Sequence, residues 1–254
     1  MKRTIVLLLV LLCSAPVLLA QKKIAKDTIP SRTFGFSATY AYQVPGGDLA
    51  RRFGNNSSAG ASLMFKGANN LHFGLNWAYI FSNTLKETGI LDSIKTSDGT
   101  VIDKEGKYAD IRFFERGFTL NLSCGYLLPK ILSPNPNSGI LLTGGIGYLQ
   151  HKIRIYDNGA RSPQLAGDYL KGYDRLTSGI AFTEFAGYWY QSPRPYINFF
   201  AGFEFTQGFT QSRRSWDYDL MRADTEKRID LLSGIRVGWL IPIGRHDTDN
   251  RYYY

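Results

Sequence analysis

Cysteine is nearly absent from this 254-residue chain, which carries only Cys13 and Cys124. Cys13 lies in a leader-like start, so Cys124 stands alone and no internal disulfide can hold an exported fold together. That excludes the small disulfide-stapled secreted class. Beyond residue 20 there is no stretch of about 18 apolar residues, so no helix is expected to span a membrane. Histidine is scarce as well, with His72, His151 and His246 the only three. No His, Cys or carboxylate pair stands at ligand spacing, so neither a metal nor a cofactor is expected. The run Gly144-Gly145-Ile146-Gly147 lacks the helix and lysine that follow a phosphate-binding loop. Close packing inside a strand explains it instead.

The start of the chain gives its destination. Lys2 and Arg3 precede an apolar run to Leu12, then a short segment with Pro16 ends on Ala20. This predicts a secretory signal peptide over residues 1–20. The apolar run is too short for an anchor, and Leu12 sits where a lipoprotein signal wants a small residue. The formal net charge is +9. Lys2 and Arg3 leave with the signal peptide, which carries no acid, so the exported chain has +7. Residues 21–32 form a polar lead-in.

Period-two alternation then dominates. In residues 196–210, Ile197, Phe199, Ala201, Phe203, Phe205 and Phe209 share one face. Asn198, Gly202, Glu204, Thr206 and Gly208 share the other, with Tyr196 and Phe200 as exceptions. Side chains on a strand alternate between faces, so this is a strand with one greasy and one polar side. It exceeds the usual globular strand of about 5 to 6 residues, and a tilted strand needs roughly 9 to 11 to cross a bilayer. Similar strands are predicted at 33–42, 57–66, 71–81, 113–127, 139–153, 176–191 and 228–243. The connections after the first, third, fifth and seventh strands are long, and those after the second, fourth and sixth are shorter. An even strand count with long loops gathered at one end describes an outer-membrane barrel. The 16 Tyr and 16 Phe suit aromatic girdles at its interfaces. The expected fold is all-β, an eight-stranded antiparallel up-and-down transmembrane β-barrel over residues 33–243. A tail follows at 244–254, and both termini are expected in the periplasm.

A barrel of eight strands is filled by side chains. By parity its interior receives Asn76, Asn121, Asn198, Glu204 and Arg236. Glu184 joins them if the even positions of the sixth strand, whose parity is ambiguous, face inward. Glu204 and Arg236 lie on neighbouring strands and are expected to pair, forming a polar lock. Catalysis on lipid would need a Ser or Thr activated by a His that a carboxylate orients. His151 is the one histidine near the outer end, with Asp174 and Ser178 as distant candidates for partners. No catalytic site is expected. Arg213, Arg214, Trp216 and Arg222 lie in the loop before the last strand and are the candidates for contact. The basic residues there are mixed with acids, which argues against nucleic acid and for lipid headgroups, a protein partner or plain solvation.

The segments FGFSATYAY, NFFAGFEFTQGFTQSRR and RIDLLSGIRVGWLIPI resemble the small outer-membrane β-barrel proteins of Bacteroidota-type bacteria, with an OmpA- and OmpX-like architecture and a PorT-like character. The resemblance implies a non-enzymatic subunit of an envelope or protein-secretion complex, in contact with outer-membrane lipid and with a protein partner through its loops or tail. A lipid-modifying barrel enzyme, a narrow pore past Glu204 and Arg236, and a soluble β-barrel holding an apolar ligand are the competing readings. The side on which Phe199, Phe203 and Trp239 lie separates the last of these from the rest.

Overall fold

The structure is a computed structural model that describes residues 30–132, 135–159, 162–192 and 197–246. The expected signal peptide, most of the lead-in and the end of the tail lie outside the described residues. Eight strands follow one another: β1 (Arg32–Gly47), β2 (Asn56–Lys66), β3 (Leu71–Ser82), β4 (Ile111–Pro129), β5 (Gly139–Asp157), β6 (Thr177–Gln191), β7 (Asn198–Ser212) and β8 (Lys227–His246). Each pairs antiparallel with the next, and β8 pairs back onto β1 from Arg32–His246 to Gly47–Asp230. The ring is closed, and no strand has a free edge.

The alternation in the chain becomes an alternation across the wall. Along β1 every second residue is buried and every other one exposed. The exposed set is apolar: Phe34, Phe36, Tyr40 and Tyr42 on β1, Phe73, Leu75, Trp77 and Tyr79 on β3, Phe199, Phe203 and Phe209 on β7, and Ile235, Val237 and Trp239 on β8. The buried set at mid-barrel is polar, including Ser37, Thr39, Ser62, Asn76, Asn121, Thr183 and Thr206. A sheet in water would do the reverse, since burying polar groups while exposing aromatic rings opposes the hydrophobic effect. In hydrocarbon the same arrangement is favourable, because the closed ladder pairs the wall amides strand to strand and the rings meet lipid tails. Phe199, Phe203 and Trp239 point out of the barrel, which removes the reading of a soluble barrel with a greasy centre.

Strand ends run further than the alternation alone predicts. β1 continues through Val44 and Pro45 to Gly47 while paired to β8. The remainder of the expected loop forms a single helical turn, α1 (Leu49–Arg52). It packs Leu49 and the following Phe53 into one mouth of the barrel. Of the connections at this rim, 83–110, 158–176 and 213–226 are long, while 48–55 is cut short by the extension of β1. Those at the other rim, 67–70, 130–138 and 192–197, are short. Asp98-Gly99 does close a turn in the longest loop, where the Gly99 amide donates to the Thr96 carbonyl at 2.9 Å.

Several wall glycines are steric requirements. A Cβ on Gly179 would stand 1.9 Å from the Phe209 carbonyl oxygen on the neighbouring strand. Gly179→Ala should therefore force β6 and β7 apart and destabilise the barrel by about 1–3 kcal/mol. The check is the urea midpoint of unfolding in detergent micelles. An unchanged midpoint would show that the two strands separate there without penalty.

Candidate functional site

The lumen is built in three layers, each supplied by the inward positions of the strands. Arg236 of β8 holds the middle one. Its guanidinium donates to Glu204 Oε2 on β7 at 2.6 Å, and to Ser62 Oγ and Asn76 Oδ1 at 3.0 Å each on β2 and β3. Asn76 in turn donates to Asn121 Oδ1 at 2.8 Å and to Ser123 Oγ at 3.0 Å on β4. The Thr183 and Thr206 hydroxyls meet at 3.1 Å. A buried charge is tolerated only when it is paired and its remaining protons are accepted, and this guanidinium has oxygens on three other strands. Its far face lies over the Phe200 ring, 5.6 Å from the centroid. Small enclosed spaces of about 20 Å³ flank the pair on either side, each room for about one water.

Toward the short-turn rim the lumen is apolar. Met64, Leu127, Leu141, Phe185, Trp189, Phe200 and Leu240 form a buried cluster, with Trp189 stacked on Phe200 and His72 edge-on to Trp189. Below it, Lys66 Nζ donates to the Ser31 carbonyl at 2.9 Å and to Asn137 Oδ1 at 3.1 Å. Gln191 Nε2 donates to Thr33 Oγ1 at 2.7 Å. Toward the long-loop rim the lumen closes a second time. Ile80, Leu149, Ile153 and Leu232 of the wall meet Leu49 and Phe53, while Ile90, Leu91, Val101, Leu165 and Tyr173 come down from the loops. Buried apolar side chains thus lie on both sides of the Glu204–Arg236 pair.

His151 lies within this upper closure. Its Nε2 is 2.8 Å from Asp230 Oδ2, and the Thr210 hydroxyl donates to that same oxygen at 2.5 Å. Neither Asp174 nor Ser178 is the partner: the carboxylate comes from β8, across the lumen. All three groups are buried, and among the described residues the other imidazole nitrogen has no hydrogen-bond partner. The threonine is on the carboxylate and not on the imidazole, so the unit lacks the hydroxyl-to-imidazole contact that activates a nucleophile.

Above the mouth the loops are held by ion pairs. Arg52 of α1 donates to Thr177 Oγ1 at 3.0 Å and approaches Glu87 at 3.4 Å. Arg175 pairs with Glu87 at 3.0 Å and with Asp217 at 3.4 Å, and also with Asp219. Burial pushes the Asp217 carboxyl above its usual range, and Arg175 pulls it part of the way back. Arg228 pairs with Asp224.

The candidate residues read from the chain divide as follows. Asn76, Asn121, Glu204 and Arg236 are brought together at mid-lumen. Asn198 faces inward but lies apart from them, accepting from the Ser192 amide at 2.9 Å at the short-turn rim. Glu184 requires a correction: even positions of β6 point out of the barrel, with Ile180 and Phe182, while Thr183, Phe185 and Trp189 point in. Glu184 therefore faces lipid and belongs to no lock. The physical reason is the apolar cluster at the short-turn rim, which takes Phe185 and Trp189 and so sets the parity of the strand. Gly144 likewise points outward, whereas Gly145 and Gly147 press on β4 as interior packing requires. In the loop, Arg213 is pinned to Ser178 by its Nε at 2.9 Å, and Arg214 forks onto Asp174. Trp216 and Arg222 remain exposed. Leu220 and Met221 beside them are exposed too, and the alternation gave no signal for these two because they stand outside any strand.

No protein-family model matches this chain, and no curated protein sequence matches it. Solved structures that resemble it are bacterial barrels. Ail, the attachment invasion locus protein of Yersinia pestis, solved in complex with the heparin analogue sucrose octasulfate, is 10% identical. The match covers 84% of this chain and 100% of Ail, at a TM-score of 0.45. The outer membrane protein OprG from Pseudomonas aeruginosa is 10% identical over 86% of this chain and 99% of its own, at 0.36. The N-terminal β-barrel domain of OprF from the same organism is 12% identical over 81% and 97%, at 0.35. The assignment itself rests on this chain's own closed ring and on its inverted polarity: it has the fold of an eight-stranded outer-membrane β-barrel.

Proposed function

We propose that the chain is a non-enzymatic barrel of the outer membrane, exported by a signal peptide over residues 1–20. Its short-turn rim and both termini face the periplasm, and its long loops face outward. In this reading it serves as a structural or accessory subunit of an envelope or protein-secretion complex. One observation supports this above the others: buried apolar side chains of the barrel fill the lumen toward both rims, which directs the search for work to the surface. Most of the charged groups of the outer cap are engaged with one another. The exposed residues of the loop between β7 and β8 include Trp216, Leu220, Met221 and Arg222, the last of which reaches Glu226 at 3.7 Å. Exposed large apolar side chains beside an arginine are the composition of a protein-contact surface. The secretion part of the proposal comes from the resemblance to Bacteroidota-type, PorT-like small barrels.

The test is a photo-crosslinking residue placed at Trp216 and, separately, at Met221 in living cells, with Leu75 on the lipid face of β3 as the control. One adduct of defined mass is expected from both loop positions and none from the control. Inserted barrels that give no adduct at either position would end the subunit reading.

A further inference from the structure

We propose that the outer face of β5 and β6 around Gly144 and Glu184 is the surface on which a second copy of this chain docks within the bilayer. The inference rests on the membrane reading above. Two independent observations meet at this point, and neither is explained by the barrel itself.

The first is Glu184. Its neighbours along the outer side of β6 are Ile180 and Phe182 on one side and Ala186, Tyr188 and Tyr190 on the other. Four residues of tilted strand separate it from Tyr188, which puts it roughly 10 Å inward from that ring. It makes no hydrogen bond or ion pair with any described residue of the chain. A carboxyl in hydrocarbon is costly and by default marks a partner.

The second is Gly144, which the register places directly opposite Glu184. Among the strand glycines whose surroundings are described, the others meet backbone or side-chain atoms at the place where a Cβ would stand, and Gly144 meets nothing within 4 Å. The barrel has no steric need for glycine there. Glycine in a strand interior is otherwise unfavourable, and it often marks the close approach of another backbone. The approach here is from outside.

The chemistry selects the occupant. The acid form carries one donor and one acceptor. Two-fold interfaces require a surface complementary to itself, and a pair of carboxylic acids meets that requirement. With the axis along the membrane normal, Glu184 of one copy faces Glu184 of the other at equal depth. The notches at Gly144 let the two walls close to hydrogen-bonding distance.

The full chain, taken from membranes and reconstituted in vesicles, tests this. Ala186→Cys in a Cys124→Ser background is treated with a short bifunctional thiol reagent. Covalent dimers are expected from position 186 and none from Leu75→Cys on β3. Gly144→Leu, which the barrel has room for, and Glu184→Leu should each lower the dimer yield about tenfold, the effect of one lost intramembrane hydrogen bond or contact. Their unfolding midpoints should stay near that of the parent. Inserted barrels that stay monomeric at position 186, cross-link equally from position 75, or pair only with a different protein would overturn the proposal. A chain that fails to enter vesicles at all would instead overturn the membrane reading beneath it.

Discussion

Arg236→Leu is expected to lower the unfolding free energy of the barrel by about 3–5 kcal/mol, the effect of removing one partner from a buried ion pair. The loss has several sources. Glu204 would keep its burial without its 2.6 Å donor. Asn76 and Ser62 would each lose a donor at 3.0 Å, and Phe200 would lose the guanidinium over its ring. Unfolding in urea, followed by tryptophan fluorescence and by the gel shift between folded and unfolded forms, measures it. The double variant Arg236→Leu with Glu204→Gln should recover part of the loss, since no orphaned charge remains. A single variant that loses less than about 1 kcal/mol would mean that Glu204 finds water, and that the lumen is wetter than its packing indicates.

Phe203→Arg is expected to weaken insertion by about 2–4 kcal/mol, the penalty for an arginine near the bilayer midplane on a lipid-facing position. Phe203 is 54% exposed and stands between Ala186 on β6 and Ile235 on β8. Glu184 stands diagonally across on the outer face of β6, opposite Phe205, so the arginine variant is made in a Glu184→Gln background that leaves no acid within its reach. The readout is the fraction folded into lipid vesicles across a urea series, compared with Phe203→Leu, which should insert as the parent does. Equal insertion of the arginine variant would show that this face does not meet hydrocarbon, and the membrane location would fall with it.

How much of this was legible in the chain depends on distance along the wall. Alternation reports which face a residue takes, so the eight strands and the inward set Asn76, Asn121, Glu204 and Arg236 could be read directly. Adjacency of β7 and β8 was enough to anticipate the ion pair. Parity says nothing about reach across the lumen. Arg236 therefore touches Ser62 and Asn76 without warning, and His151 finds Asp230 from a strand that is not its neighbour. β6 was unreadable for a different reason. Phe182, Phe185, Tyr188 and Trp189 occupy both parities because one end of that strand must fill an apolar closure while the outside meets lipid. Reading the acid as inward was then the wrong resolution of a real ambiguity. The loops were legible only as mixed charge. That mixture foretold pairing such as Arg214 with Asp174, but not which acid each arginine would choose.

The β1–β8 seam has one further property. Phe34 pairs with Gly244 and Gly35 pairs with Pro242, so the ladder slips past one residue on β8. A bulge leaves a residue out of the hydrogen-bond pattern, and a proline contributes no N–H to it. The bulge and Pro242 coincide at one end of the seam, whereas the other end carries Pro45 opposite Leu232 but no slip in register up to Gly47 and Asp230. The wall is thus a zipper with a preferred starting tooth: when the cylinder breathes, deuterium enters the β1 and β8 amides beside Gly35 before it reaches those near Gln43.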